Sequence, residues 1–186
     1  CMETYMGKPQ ATNLSDEINE AVMRNVITNL RRLIRNPDDD FARGELMWAS
    51  AMAENGMLKL GKQTDFQCHM IEHAVGAYTD CNHGQGLAVI HPALYRRLLE
   101  AGKEKLARMA ETVWGVKGTT IEETAMRGIE ALEAFIREIG LPTHWSEMGI
   151  TDESMLRAAA DTCFITPGCC RQLTRDEIFE LLMERM

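Results

Sequence analysis

The chain has 186 residues, enough for one substantial core. Its 28 acidic against 20 basic residues give a formal charge of −8, which argues against a nucleic-acid groove or an anionic membrane surface as the main partner. No apolar run approaches the roughly 20 residues of a bilayer span, the start lacks a basic-then-apolar signal pattern, and six cysteines without a CxxC pair read as reduced thiols, so a cytoplasmic protein is expected.

The chain reads as helices almost throughout. Met2-Glu3-Thr4-Tyr5 looks like the last turn of a helix with no beginning, and with Cys rather than Met at position 1 the chain is expected to be a fragment. From Asp16 to Arg35 the residues Ile18, Val22, Val26, Leu30 and Leu33/Ile34 form an apolar stripe at helical spacing, with Ser15 as N-cap and Asn36-Pro37 as the stop. A second helix is expected from Asp38 to about Met57. There Ala42, Ala49, Ala53 and Gly56 permit close approach of a neighbour and Trp48 supplies bulk, with a stop at Gly61. A third runs from about Asp65 to Thr79. Pro92 should then start a new helix or kink the existing one, giving separate helices Ala93–Ala101 and Lys103–Trp114. Thr120-Ile-Glu-Glu123 is a capping box opening a helix whose Ile121, Ala125, Ile129, Leu132, Ile136 and Ile139 share a face until Gly140 and Pro142. Asp152–Cys163 and Asp176–Arg185 are shorter, the last preceded by a capping box at Thr174-Arg-Asp-Glu177. No strand-period segment or internal repeat is evident. The expected class is an all-α, multi-helix bundle.

Three of the five histidines fall in Phe66-Gln-Cys-His69-Met-Ile-Glu-His73-Ala-Val-Gly76-Ala-Tyr-Thr-Asp80-Cys-Asn-His83-Gly84. On a helix His69 and His73 lie on one face, one turn apart. Gly76 and Asp80-Cys81-Asn82 offer places to turn, so His83 can fold back toward them. Imidazole is the commonest metal ligand and the side chain best suited to moving a proton near neutral pH, and both uses are open here.

Three chemistries compete for this cluster. His69-Met-Ile-Glu72-His73 matches the inverted zincin pattern H-x-x-E-H, in which both histidines bind zinc and the Glu activates water. That reading leaves His83 without a role and needs a distant acidic ligand. A di-iron or di-manganese bundle needs Glu-x-x-His repeats, which do not occur. A helical binding or interaction module without catalysis is the alternative from a different class.

The third chemistry rests on likeness. H-x-x-x-H, a Gly three positions on, then His-Gly ten residues after the second His resembles the signature of the iron-dependent (group III) alcohol dehydrogenases, in their butanol dehydrogenase and aldehyde reductase branch. Glu3-Thr4-Tyr5, Met47-Trp48-Ala49-Ser50, Asn55-Gly56, the run Leu87 to Leu94 and Gly140-Leu-Pro-Thr143 are similar to other segments of that family, so the likeness covers nearly the whole chain.

That resemblance implies the helical, metal-binding C-terminal half (residues 1–186) of the dehydroquinate synthase-like, iron-alcohol-dehydrogenase fold, with a Rossmann-like N-terminal half absent. It implies an oxidoreductase interconverting a primary alcohol and an aldehyde with NAD(P) and Fe2+, or Zn2+, as a homo-oligomer, a dimer. Of the family's four ligands, His69 and His83 would be two; an Asp and a His four residues apart would come from before Cys1. His73 would be the non-ligand that contacts the nicotinamide or relays a proton. The fragment alone would be inactive. Asp65-Phe-Gln-Cys-His69 also has Asp-x-x-x-His spacing, but Asp65 is expected in the first turn of its helix, where a carboxylate favours the dipole. Glu72, one position before His73, points about 100° away around the helix and is expected to face solvent or to make a local ion pair. His91, before Pro92, reads as structural.

Overall fold

The computed structural model describes residues 1–186 as eight α-helices without a β-strand. They are α1 (Met2–Met6), α2 (Leu14–Arg35), α3 (Asp40–Glu54), α4 (Gln67–Thr79), α5 (His83–Met109), α6 (Ile121–Glu138), α7 (Glu153–Thr162) and α8 (Arg175–Met183). Short 3₁₀ turns sit at Met57–Lys59 and Trp145–Met148, and a π-helical turn, Ala110–Trp114, extends α5. No helix is long and apolar enough to cross a membrane, and all six cysteines are free.

The all-α expectation holds, with local corrections. The N-cap of α2 is Asn13, not Ser15: Asn13 accepts from the Asp16 amide and the Asp16 carboxylate accepts from that of Asn13, while the Ser15 hydroxyl donates to Leu60 O at 2.7 Å. Most of the inward face of α2 is polar. Buried Asp16 pairs with Lys62 at 2.5 Å and with Lys105, and Glu20 accepts from Tyr5 Oη at 2.9 Å and Arg108 Nε at 2.6 Å. These bonds satisfy charges that would otherwise be costly to bury, and they tie α2 to α1 and α5. Val22 instead joins Ala49 and Leu58 in a small satellite core beneath α3, and Ile34 is exposed.

The small residues Ala42 and Ala49 of α3 do face inward, but Trp48 is 73% exposed and adds nothing to the core. Pro92 and Gly102 do not divide α5, which runs unbroken past both. Gly102 lies where α1 meets α5: a Cβ there would come within 2.8 Å of Met6 Cε, the movable end of that side chain. Gly128 is needed for space where α6 crosses the π-helical turn, since a Cβ there would stand 2.7 Å from Ala110 Cβ and 3.1 Å from its Cα.

The main core gathers Ile71 and Val75 of α4, Ile90, Leu94 and Leu98 of α5, Ile129 and Leu132 of α6, and the inner faces of α7 and α8. Leu132 and Ile136 follow the predicted stripe of α6, but its first member, Ile121, is half exposed. Thr120 caps α6 by accepting from Glu123 N, while the Glu123 carboxylate turns to Thr119 N instead of closing the reciprocal bond. Thr174 and Glu177 close a full capping box on α8.

Candidate metal centre

The histidine cluster sits where α1, the start of α4 and the start of α5 meet. Phe66 adopts a left-handed conformation (φ 52°) ahead of α4, and Asp65 lies outside the helix, its Oδ1 accepting from Gln67 N at 3.1 Å. Asp65 is therefore not a first-turn residue, although its carboxyl still meets the first N–H of α4. It is fully buried, and burial raises its carboxyl to about 7. Gly76 continues α4 without turning. The reversal is made by Asp80, left-handed at φ 53°, and by Asn82, whose side chain caps α5 by accepting from Gln85 N at 3.1 Å.

His83 is consequently the first residue of α5 and folds back onto α4. Ring centroids lie 6.0 Å apart for His69–His73, 5.2 Å for His69–His83 and 5.3 Å for His73–His83. The three imidazoles predicted to converge do so. Their side chains face outward to different degrees, His69 being 29% and His83 51% exposed, and His73 also lies at the surface.

Two buried carboxylates stand behind the rings. Glu3 of α1 contacts His69 Nδ1 through Oε2 and accepts from the His69 backbone N–H through Oε1 at 3.1 Å. Burial pushes the Glu3 carboxyl up, but the bonds to His69 and the nearby imidazoles of His91 and His69 together hold it below the ordinary carboxylate range. Glu72 contacts His83 Nδ1 through Oε2. It does not face solvent: its side chain is 3% exposed, and its contact with His83 reaches across to the next helix. The 100° separation from His73 along α4 is correct, but it turns Glu72 inward, toward α5. Glu72 thus engages His83, the histidine to which the inverted zincin reading gives no role.

Sequence reasoning missed Glu3 as part of this cluster. Only a likeness to another segment brought it to notice, since its partner lies 66 positions away. His91, 18 positions after His73, is buried, its Nδ1 donating to Leu87 O at 3.0 Å, and burial lowers it to about 4. His144 stands apart beside Glu147.

The donor chemistry suits a divalent metal. With Nδ1 of His69 and of His83 engaged by carboxylates, Nε2 of each ring is the nitrogen left to face a metal, and the second imidazole of α4 stands beside them. Glu72, His73 and His83 also bring one potential donor atom each within 4.8 Å of one another. Glu72 lies on the Nδ1 edge of His83, however, so it cannot share an ion bound at the opposite Nε2.

The sequence matches the Fe-containing alcohol dehydrogenase family, C-terminal, over residues 1–186. It is 32% identical over 184 residues to NADH-dependent butanol dehydrogenase A of Clostridium acetobutylicum, covering 96% of this chain and 47% of that protein. It is 29% identical over 154 residues to the NADPH-dependent aldehyde reductase YqhD of Escherichia coli, covering 83% of this chain and 40% of that protein. The fold superposes on the crystal structure of NADH-dependent butanol dehydrogenase A from Thermotoga maritima with a TM-score of 0.90 at 28% identity, covering 99% of this chain and 48% of that one. The chain spans about half the length of the curated relatives it matches. This chain belongs to the Fe-containing alcohol dehydrogenase family and corresponds to its C-terminal, helical portion.

Proposed function

We propose that these residues are the metal-binding half of an NAD(P)-dependent alcohol dehydrogenase or aldehyde reductase that interconverts a primary alcohol and an aldehyde by hydride transfer. The observation that carries this reading is the convergence of His69, His73 and His83, with two rings fixed through Nδ1 and presenting Nε2. His69 and His83 are the metal ligands, for Fe2+ in first place and Zn2+ in second. The remaining Asp and His ligands, and the Rossmann-like half that holds the nicotinamide, lie outside these residues.

A bound divalent ion lowers the pKa of an alcohol and polarises a carbonyl. The chain's own residues supply the rest. Glu3 and Glu72 hold two imidazoles in orientation, and exposed His73, one turn along α4 from His69, is free to contact the nicotinamide end and to take or return the hydroxyl proton. His73 is thus both the catalytic and the cofactor-contacting residue of this reading. A cytoplasmic homodimer completes the proposal.

The 186 residues alone, given butanol and NAD(P), are expected to show no turnover, whereas the protein that includes a dinucleotide-binding half turns over. Turnover by the isolated chain at a rate comparable with an intact dehydrogenase would overturn this division of labour. In that case the helical bundle would have to hold a complete site by itself.

A further inference from the structure

We infer that Glu3 and Glu72 are a pair of positioning residues, each setting the tautomer and orientation of one metal-facing imidazole, Glu3 for His69 and Glu72 for His83. The inference rests on the reading of His69 and His83 as ligands and goes beyond it, because neither carboxylate would touch the ion. Each is almost fully buried, 4% exposed for Glu3 and 3% for Glu72, and each meets Nδ1 of its ring while the ring itself reaches solvent. A carboxylate accepts and cannot donate, so the proton of each contact belongs on Nδ1 and the lone pair on Nε2. Left alone, a neutral imidazole could carry its proton on either nitrogen. The carboxylates remove that freedom and raise the basicity of the donor.

Both carboxylates are themselves held, which separates them from chance surface pairs. Glu3 spans the first turn of α4 by accepting from the backbone N–H of His69 with one oxygen while its other oxygen meets the ring, so backbone and side chain of one residue are fixed together. Glu72 lies in a slot made by two glycines. A Cβ on Gly86 would stand 2.8 Å from Glu72 Cγ and 2.9 Å from its Oε1, and one on Gly76 would stand 3.5 Å from the same oxygen. Gly86 therefore earns its place in α5 by leaving room for the stem of Glu72.

The test uses heteronuclear NMR of the histidine rings in the wild-type chain, above the ordinary imidazole pKa of about 6.5, followed by titration with Zn2+. His69 and His83 are expected to carry their proton on Nδ1, and Zn2+ is expected to shift their Nε2 resonances. Glu3→Ala and Glu72→Ala should each weaken Zn2+ binding about 10- to 100-fold and release the tautomer of only the partnered ring. Glu3→Gln and Glu72→Gln keep an accepting oxygen and should recover most of that loss. Gly86→Ala should reproduce Glu72→Ala at His83 and leave His69 unchanged. An Nε2–H tautomer at both rings of the wild type, or unweakened Zn2+ binding in both alanine variants, overturns the inference. Correct tautomers with no Zn2+ shift at either Nε2 overturn instead the assignment of the two histidines as ligands. The tautomer measurement needs no variant, so a substitution that fails to fold does not remove the test.

Discussion

Replacing Asp65 by Asn should change the pH dependence of stability by an amount the structure sets. Asp65 is fully buried, Oδ1 accepts from Gln67 N at 3.1 Å and Oδ2 has no hydrogen-bond partner, so burial raises the carboxyl from its ordinary 3.8 to about 7. A carboxyl raised on folding holds its proton more tightly in the native chain than in the unfolded one. Its contribution is therefore present below 3.8 and is lost as the pH climbs to about 7, about 4 kcal/mol in all at 1.36 kcal/mol per pH unit. His91 works in the opposite sense. Burial lowers it from 6.5 to about 4, so the native chain loses about 3 kcal/mol as the pH falls through that window and the unfolded chain takes up the proton. The two nearly offset each other in the wild type. Asparagine keeps an oxygen for Gln67 N and removes the titration. Urea unfolding of wild type and Asp65→Asn from about pH 4 to about pH 8 isolates the carboxyl, because the His91 contribution cancels in the difference at each pH. The variant's advantage should grow with pH by about 4 kcal/mol and level off above about 7. A difference that does not change with pH refutes the reasoning.

Gly128→Ala should lower stability by about 1–3 kcal/mol in thermal or urea unfolding, because its Cβ would stand 2.7 Å from Ala110 Cβ and 3.1 Å from Ala110 Cα, where backbone must move. Thr174→Ala removes the hydroxyl that accepts from Glu177 N and should cost about 1 kcal/mol in the same assay. Glu133→Gln should cost about 2–3 kcal/mol, since that buried carboxylate accepts from Arg185 and Arg137 at 2.9 Å each and also pairs with Arg96, joining α5, α6 and the C-terminus.

The helical class and the meeting of His69, His73 and His83 were legible because both follow from local spacing: apolar residues at helical period, and two histidines one turn apart followed by a short turn. What local spacing could not show was which face of a helix is buried when that face is polar. Asp16, Asn19 and Glu20 of α2 turn inward because Lys62, Lys105 and Arg108, far away in sequence, neutralise the two acids, while the Asn19 amide bonds back to Ser15 O. Asp65 was misplaced for a similar reason. Its first-turn spacing is correct for a capped helix, but a left-handed Phe66 starts α4 later and leaves Asp65 buried, its carbonyl accepting from the Thr166 hydroxyl. The break expected between Ala101 and Lys103 does not form because Gly102 keeps a negative φ inside α5, at its contact with α1, and makes no chain reversal. Glu72 was legible as a charged group but not as a buried one, since its slot is made by Gly86 on another helix.

The most direct test of the central claim is the metal content, by plasma emission, of the full-length protein that includes the dinucleotide-binding half, in His69→Ala, His83→Ala and His73→Ala. With His69 and His83 as ligands and His73 as the proton and nicotinamide contact, the first two variants should lose the metal and the third should keep it while slowing hydride or proton transfer. Loss of metal in His73→Ala together with its retention in His83→Ala would contradict the account and restore the H-x-x-E-H reading of the cluster.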